Sequence, residues 1–213
     1  MMRGAWFTEE EHEAARHVVN LLRRMRLHWL LKHLPTRVVW AAYVFLNSFV
    51  TIALLSLLAG LTQSPFVFPS LGPTAYLFFF APLGESSSPR HAILGHAIGL
   101  VCGYGAYVAM GSHGFALTSL AEVSWREVMA AALSLAATGA VMVLLRVSHP
   151  PAGATTLIVS LGILTKVEYL VMIEVAVILL TAQAWAINRL AGLNYPLWEN
   201  KETSTEATPL LPG

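Results

Sequence analysis

Two short segments of the sequence combine residue types that suit the binding of a small anion. PSLGPTA at residues 69–75 and PPAGATT at residues 150–156 share the pattern P-x-x-G-x-T at an offset of 81 positions. Proline interrupts a helix, so backbone amides that a continuous helix would use stay free at its new N-terminus. Glycine lets a ligand approach these amides, and threonine adds a hydroxyl donor. The residues predicted to bind the anion are Ser70, Gly72, Thr74, His149, Gly153, Thr155 and Thr156.

Three ionisable residues lie in or beside apolar runs of the sequence. His149 directly precedes the second break, where it would supply a titratable donor. The alternative is a histidine at a helix end that faces the lipid head groups. His96 and Glu174 lie inside apolar runs, where an ionisable side chain points to function, and we predict that they couple proton movement to the anion. The alternative for Glu174 is a position near enough to the helix end to reach water.

The composition identifies the class of protein that must position these residues. Of 213 residues, 56% are hydrophobic and 12% are charged, and the mean hydropathy is +0.62. A bilayer-spanning helix needs about 20 apolar residues. The runs without Lys, Arg, Asp or Glu are 38–84, 91–121, 128–145, 147–165 and 175–188. The sequence therefore predicts an all-α polytopic membrane protein, with lipids and a small inorganic anion as partners and no nucleic acid.

The order of the predicted helices repeats once along the chain. The long spans are 38–61, 91–111, 127–146 and 168–189, and the short helices after the breaks are 73–82 and 152–163. If the broken segments cross the membrane, repeats 38–111 and 127–190 each have three crossings and are inverted, so that two helix N-termini converge near the bilayer midplane. If the broken segments enter and leave on one side, the protein has four spans.

The positions of the basic residues favour the six-crossing arrangement. It places Arg90, Arg146 and Arg189 on the same side as the basic N-terminus, and Arg126 and Lys166 on the other side. The positive-inside rule then predicts that both termini are cytoplasmic, in a multi-pass protein of the cell (inner) membrane.

Three further features concern the ends of the chain and the packing of its helices. Residues 1–37 are predicted to form an amphipathic cytoplasmic helix on the membrane surface, with a solvated helix as the alternative, and residues 191–213 to form a flexible tail. Gly95, Gly99 and Gly103 form a small-residue ridge for helix packing, within the chain or between copies of a homo-oligomer. The polar residues predicted either to line a path or to bond their own helix backbone are Asn47, Ser48, Thr51, Ser134 and Thr138.

The segment SHPPAGATTLI resembles the signature of the HPP family of integral membrane proteins. His149, Pro150 and Pro151 match the motif that names the family, and FPSLGPTA resembles its upstream element. The resemblance covers about residues 38–190. Members of the family are usually described as four-span proteins, and plant members are implicated in nitrite transport into plastids. The resemblance therefore implies a transporter or channel for a small monovalent anion, with nitrite as the first choice.

Two other classes of function compete with anion transport. A membrane-embedded haem protein or enzyme would use the histidines at 91, 96, 113 and 149, and a sensor or scaffold would transport nothing. The sequence contains no HExxH or GxSxG motif and no Cys/His cluster with metal-ligand spacing, so we expect no catalytic residues, metal or cofactor. A scaffold would not require two matched helix breaks.

Overall fold

The computed structural model describes residues 27–64, 66–111 and 124–199, which form seven α-helices, a short 3-10 turn at Glu85–Ser87 and no strand. The helices are α1 (Leu27–His33), α2 (Thr36–Thr62), α3 (Leu71–Phe80), α4 (Pro89–Met110), α5 (Trp125–Leu145), α6 (Ala152–Ser160) and α7 (Val167–Leu190).

Four of these helices are long and apolar enough to cross a membrane. They are α2, α4, α5 and α7, which contain 27, 22, 21 and 24 residues. Their bounds lie within two residues of the spans expected from the sequence. Local signals explain where they begin: Pro89 occupies the first turn of α4, and Ser124 with Glu127 forms a capping box at the start of α5. The chain is a polytopic membrane protein.

The bounds of the short helix α3 follow from its prolines. It begins at Leu71, two residues earlier than expected, because Pro73 occupies the first turn, where a missing amide costs no hydrogen bond. It ends at Phe80, two residues earlier than expected. Pro82 disfavours helix at the residue before it, and Ala81 accordingly has φ −131° and ψ 61°.

The second short helix, α6, has a similar setting. It follows Pro150 and Pro151 and ends at Ser160, three residues earlier than expected, before Gly162 with φ +77°. The long helix before each break ends on a non-glycine residue in the left-handed region: Gln63 after α2 and Arg146 after α5, both with φ 52°. The two halves of the chain therefore share the same local design.

Contacts at the helix ends give the relative direction of α4 and α5. Arg90 at the start of α4 donates to the carbonyl oxygens of Leu145 and Arg146 at the end of α5, at 3.2 Å each. Arg126 at the start of α5 donates to the carbonyl of Gly111, after the end of α4. Helices α4 and α5 are therefore antiparallel. We call the two ends of the bundle the Arg90 end and the Gly111 end.

The short helix α6 runs parallel to α4. A Cβ atom at Gly95 would lie 2.6 Å from the Cβ of His149, and one at Gly103 would lie 2.7 Å from the carbonyl oxygen of Thr156. Residues farther along α4 thus contact residues farther along α6, so the two helices point the same way. Helix α6 begins in the interior and points toward the Gly111 end. The glycine ridge thus packs within the chain.

The short helix α3 points the opposite way. Asn188, near the end of α7, donates to the carbonyl of Phe78 and accepts from the hydroxyl of Tyr43 on α2. Ser87, just before α4, donates to the carbonyl of Leu77. The end of α3 therefore lies at the Arg90 end, as do the start of α2 and the end of α7. The packing partners are exchanged between the halves: α5 and α6 pack on α4, α2 and α3 pack on α7, and α4 packs on α7.

The segment after α7 corrects the expectation of a flexible tail for residues 191–199. Tyr195 is fully buried and donates to the carbonyl of Ser87. Burial, with a smaller effect of Tyr43, raises the pKa of Tyr195, so that its phenol keeps the donated proton. The backbone amide of Arg90 donates to the carbonyl of Trp198 at 2.9 Å, and its guanidinium lies 2.7 Å from the carboxylate of Glu199. These contacts hold the segment against the Arg90 end.

Other expectations fall partly or wholly outside the described residues. Of the amphipathic helix expected at the N-terminus, the structure describes only the part within α1, where Trp29 stacks on His33. Residues 1–26, the loop 112–123 and the tail from residue 200 lie outside the described ranges.

Candidate functional site

His96 on α4 lies between two threonines that occupy equivalent positions in the two halves of the chain. Its Nε2 atom is 3.0 Å from the hydroxyl of Thr74 on α3, and its Nδ1 atom is 2.7 Å from the hydroxyl of Thr155 on α6. These two threonines end the two copies of the P-x-x-G-x-T pattern. All three side chains are completely buried. The two helix breaks thus meet at one imidazole ring.

His149 completes this cluster from the second break. Its ring lies 5.0 Å from that of His96, measured between centroids, and its Nε2 atom is 3.3 Å from the hydroxyl of Thr74. Its Nδ1 atom is 2.8 Å from the carbonyl oxygen of Ser86. His149 is fully buried. This environment differs from that of a helix-end histidine facing the head groups, the alternative that the sequence left open. We call Thr74, His96, His149 and Thr155 the histidine cluster.

The partners of His149 determine how its ring is protonated. A carbonyl oxygen can only accept a hydrogen bond, so the Nδ1 atom that faces Ser86 carries a proton. A neutral His149 ring therefore presents the lone pair of Nε2 to the cluster. A second proton would turn this acceptor into a charged donor. The cluster can thus change both its charge and its hydrogen-bonding character at one nitrogen atom.

Close packing by glycine brings the cluster together. A Cβ atom at Gly99 would lie 2.8 Å from both the carbonyl oxygen of Ala152 and the hydroxyl of Thr156. Only a glycine allows α6 to lie this close to α4. On the other side, the hydroxyl of Thr74 is 3.0 Å from the carbonyl of Ser70, one turn earlier at the start of α3. The N-terminal ends of α3 and α6 therefore both lie against the middle helix α4.

The cluster lies beneath the surface at the Arg90 end. His96 is the eighth residue of α4, so it lies roughly 10 Å along a helix about 33 Å long. Above it, the hydroxyls of Ser86 and Ser148 lie at the surface, 3.2 Å apart. His149 directly follows Ser148 and contacts the carbonyl of Ser86. The cluster therefore lies only one residue below the surface, next to Ser86 and Ser148.

Some residues predicted for the site lie elsewhere. The hydroxyl of Thr156, the residue after Thr155, bonds the carbonyl of Ala152 and lies 3.0 Å from the hydroxyl of Thr138 on α5. Gly72 is exposed on the outer face of α3, and a Cβ atom there would meet nothing within 4 Å. A Cβ atom at Gly153 would instead meet Leu135 at 3.3 Å. The structure therefore does not bring these two glycines to the cluster, and close approach to it depends on Gly95 and Gly99.

The two residues predicted to couple protons are placed differently. His96 is part of the histidine cluster itself. Glu174 on α7 has both carboxylate oxygens buried, with no hydrogen-bond partner among the described residues. Two further polar contacts, one in the cluster and one between α2, α3 and α7, were not predicted from the sequence. Ser86 acts through a backbone carbonyl, which no side-chain pattern can indicate, and Asn188 is a buried amide in an apolar span, a signal that could have been noticed.

The cluster also bears on the haem alternative. Two histidines that ligate one haem hold their nitrogens on opposite faces of the porphyrin. Here the Nε2 atoms of His96 and His149 contact the same hydroxyl oxygen, so they do not face each other across such a gap. Within residues 27–64, 66–111 and 124–199, no three His, Cys, Asp or Glu side chains are placed to hold a metal ion. His113 lies outside these ranges.

Comparison with known proteins gives one positive result. The family model described as "HPP, transmembrane region" matches residues 33–196, which include all seven predicted anion-binding residues and nearly all of the described helices. No curated protein and no solved structure gives a significant match to the chain.

Proposed function

Because the chain belongs to the HPP family of transmembrane proteins, as the resemblance in its sequence indicated, we propose that it carries a small monovalent anion across the membrane. Nitrite is the first substrate to test. The observation that carries this proposal is the position of His96 between Thr74 and Thr155, the equivalent threonines of the two helix breaks. A buried cluster of hydroxyls and imidazoles at two helix N-termini offers donors and positive potential, which suit an anion.

The chemistry of the cluster favours one negative charge. Its ionisable groups are the imidazoles of His96 and His149, whose centroids are 5.0 Å apart, so two protonated rings would repel each other strongly. One proton, on Nε2 of His149, supplies one positive charge and one new donor. We therefore propose that the anion binds together with this proton. Glu174, a buried carboxylate toward the Gly111 end, is a second candidate for the proton route.

We also propose that the two halves are inverted repeats, in which each broken segment crosses the membrane. The opposite directions of α3 and α6 and the exchanged packing partners support this arrangement. Arg90, Arg146 and Arg189 lie toward one end of the bundle, while Arg126 and Lys166 belong to the other. The positive-inside rule then makes the Arg90 end cytoplasmic, with both termini on that side of an inner membrane. We also propose that the protein forms a homo-oligomer.

Uptake by the purified protein in liposomes tests the function. We expect nitrite to enter faster than in protein-free liposomes, and nitrate, formate, chloride and bicarbonate show how selective the site is. Thr74→Val and Thr155→Val keep the side-chain shape but remove the hydroxyls that hold His96. Each should lower uptake at least tenfold, and Thr→Ser at the same positions should restore most of it.

Thr62→Val is the matched control, because Thr62 is an exposed threonine at the end of α2 whose hydroxyl bonds only its own helix. It should transport like the wild type. If the wild type carries none of the five anions, the proposed function is wrong. If it carries one of them and both valine variants carry it equally well, the histidine cluster is not the binding site.

A further inference from the structure

The hydroxyl of the half-buried Ser48 on α2 has no hydrogen-bond partner among the described residues, and neither do three hydroxyls of buried residues on the α2, α3 and α7 side of the bundle. These three hydroxyls belong to Thr51, Ser70 and Thr181, whose side chains are 0%, 0% and 4% exposed. Most hydroxyls in membrane helices bond the carbonyl one turn earlier. Thr62 and Thr156 of this chain do so. Thr51 and Thr181 are exceptions, and Ser70 precedes the first residue of α3, so no helical carbonyl lies one turn before it. All three hydroxyls need another acceptor, because an unmade hydrogen bond is costly in an apolar interior.

The three hydroxyls lie at one depth in the bundle. Asn188 ties the three helices at a common level through its bonds to the Tyr43 hydroxyl and the Phe78 carbonyl. Thr51 is eight residues beyond Tyr43, Ser70 is eight residues before Phe78, and Thr181 is seven residues before Asn188. At 1.5 Å per residue, all three lie about 10–12 Å from that level, and all in the direction of the Gly111 end.

The helices that carry these hydroxyls pack against one another in all three pairs. All three side chains are buried, so each faces the packed interior of the bundle at this depth. Ser70 precedes the first residue of α3, and its carbonyl bonds the hydroxyl of Thr74 in the histidine cluster. Ser70 therefore adjoins that cluster, about one helical turn farther from the Arg90 end, and Thr51 and Thr181 lie at the depth of Ser70.

We infer that Thr51, Ser70 and Thr181 form a second binding position for the transported anion, at which their hydroxyls donate to it. This inference rests on the proposed function. The ligand is an anion and not a cation, because Ser70 stands at the N-terminus of α3, where the positive end of the helix dipole favours negative charge. The anion leaves His96 and His149 and passes to this position on its way toward the Gly111 end.

Replacing the hydroxyls by isosteric apolar groups tests this inference. In the variant Thr51→Val/Ser70→Ala/Thr181→Val, the thermal unfolding midpoint without nitrite should equal or exceed that of the wild type, because unpartnered hydroxyls are replaced by apolar atoms. Nitrite should raise the midpoint of the wild type. In the variant, the nitrite concentration needed for this rise should be at least tenfold higher, and liposome uptake should fall at least tenfold.

Controls separate this inference from the proposed function. Thr51→Ser/Thr181→Ser keeps all three hydroxyls and should respond to nitrite and transport it like the wild type, and so should Thr62→Val. If nitrite does not raise the unfolding midpoint of the wild type and is not transported by it, the proposed function fails together with this inference. Nitrite could instead shift the midpoint of the wild type and of the variant Thr51→Val/Ser70→Ala/Thr181→Val, but not that of Thr155→Val. That result would refute only the second binding position. The second position is also refuted if the triple variant without nitrite unfolds at a lower temperature than the wild type. It is refuted as well if sodium or potassium, and not nitrite, raises the midpoint of the wild type.

Discussion

Gly99 offers the sharpest test of how the histidine cluster is assembled. Replacing it with alanine adds one Cβ atom, which would lie 2.8 Å from both the carbonyl oxygen of Ala152 and the hydroxyl of Thr156. The first of these atoms belongs to the backbone of α6, so α6 must move away from α4. Overpacking of this kind costs about 1–3 kcal/mol. Because Thr155 is on the same helix, its 2.7 Å contact with His96 should lengthen and transport should fall.

Gly105→Ala is the matched control on the same helix. Gly105 is exposed, and a Cβ atom there would meet nothing within 4 Å. Both substitutions gain about 1 kcal/mol of helix propensity, so the difference in unfolding free energy between the two variants reports the contact with α6 alone. A difference of about 1–3 kcal/mol corresponds to an unfolding midpoint roughly 2–12 °C lower for Gly99→Ala, by thermal unfolding in detergent. If Gly99→Ala unfolds at or above the midpoint of Gly105→Ala, α6 does not lie against α4 as described.

Two further predictions concern topology and protons. In a Cys102→Ala background, single cysteines that replace exposed residues on either side of each broken segment should be labelled from opposite sides: Gln63 and Lys166 from one, Glu85 and Ser148 from the other. Labelling of both members of either flanking pair, 63 with 85 or 148 with 166, from the same side would refute the six-crossing arrangement. His149→Gln keeps a donor at the cluster but cannot titrate, so nitrite uptake, which should rise in the wild type as the pH falls, should depend much less on pH in the variant. A wild-type pH profile in this variant would exclude His149 as the proton carrier.

The sequence by itself determined the features that depend on local physics. Long uncharged runs can satisfy their backbone in a membrane only as helices, so the four spans could be located to within two residues. Proline restricts the backbone of its own residue and of the residue before it, so the two breaks were visible, although the short helices began or ended two or three residues from their expected bounds. The likeness of the two P-x-x-G-x-T segments also marked Thr74 and Thr155 as equivalent.

Tertiary structure alone decided which side chains meet. The sequence placed His96 with Glu174 as a proton pair, whereas helix packing puts His96 between Thr74 and Thr155 and leaves Glu174 elsewhere. Spacing along one helix shows which residues share a face, but not which neighbour that face contacts or at what depth. The rotation and depth of α3 and α6 depend on close contacts far apart in sequence, such as that of Gly99 with Ala152. For the same reason, Gly72 proved to face outward and Ser86 entered the site through a backbone atom.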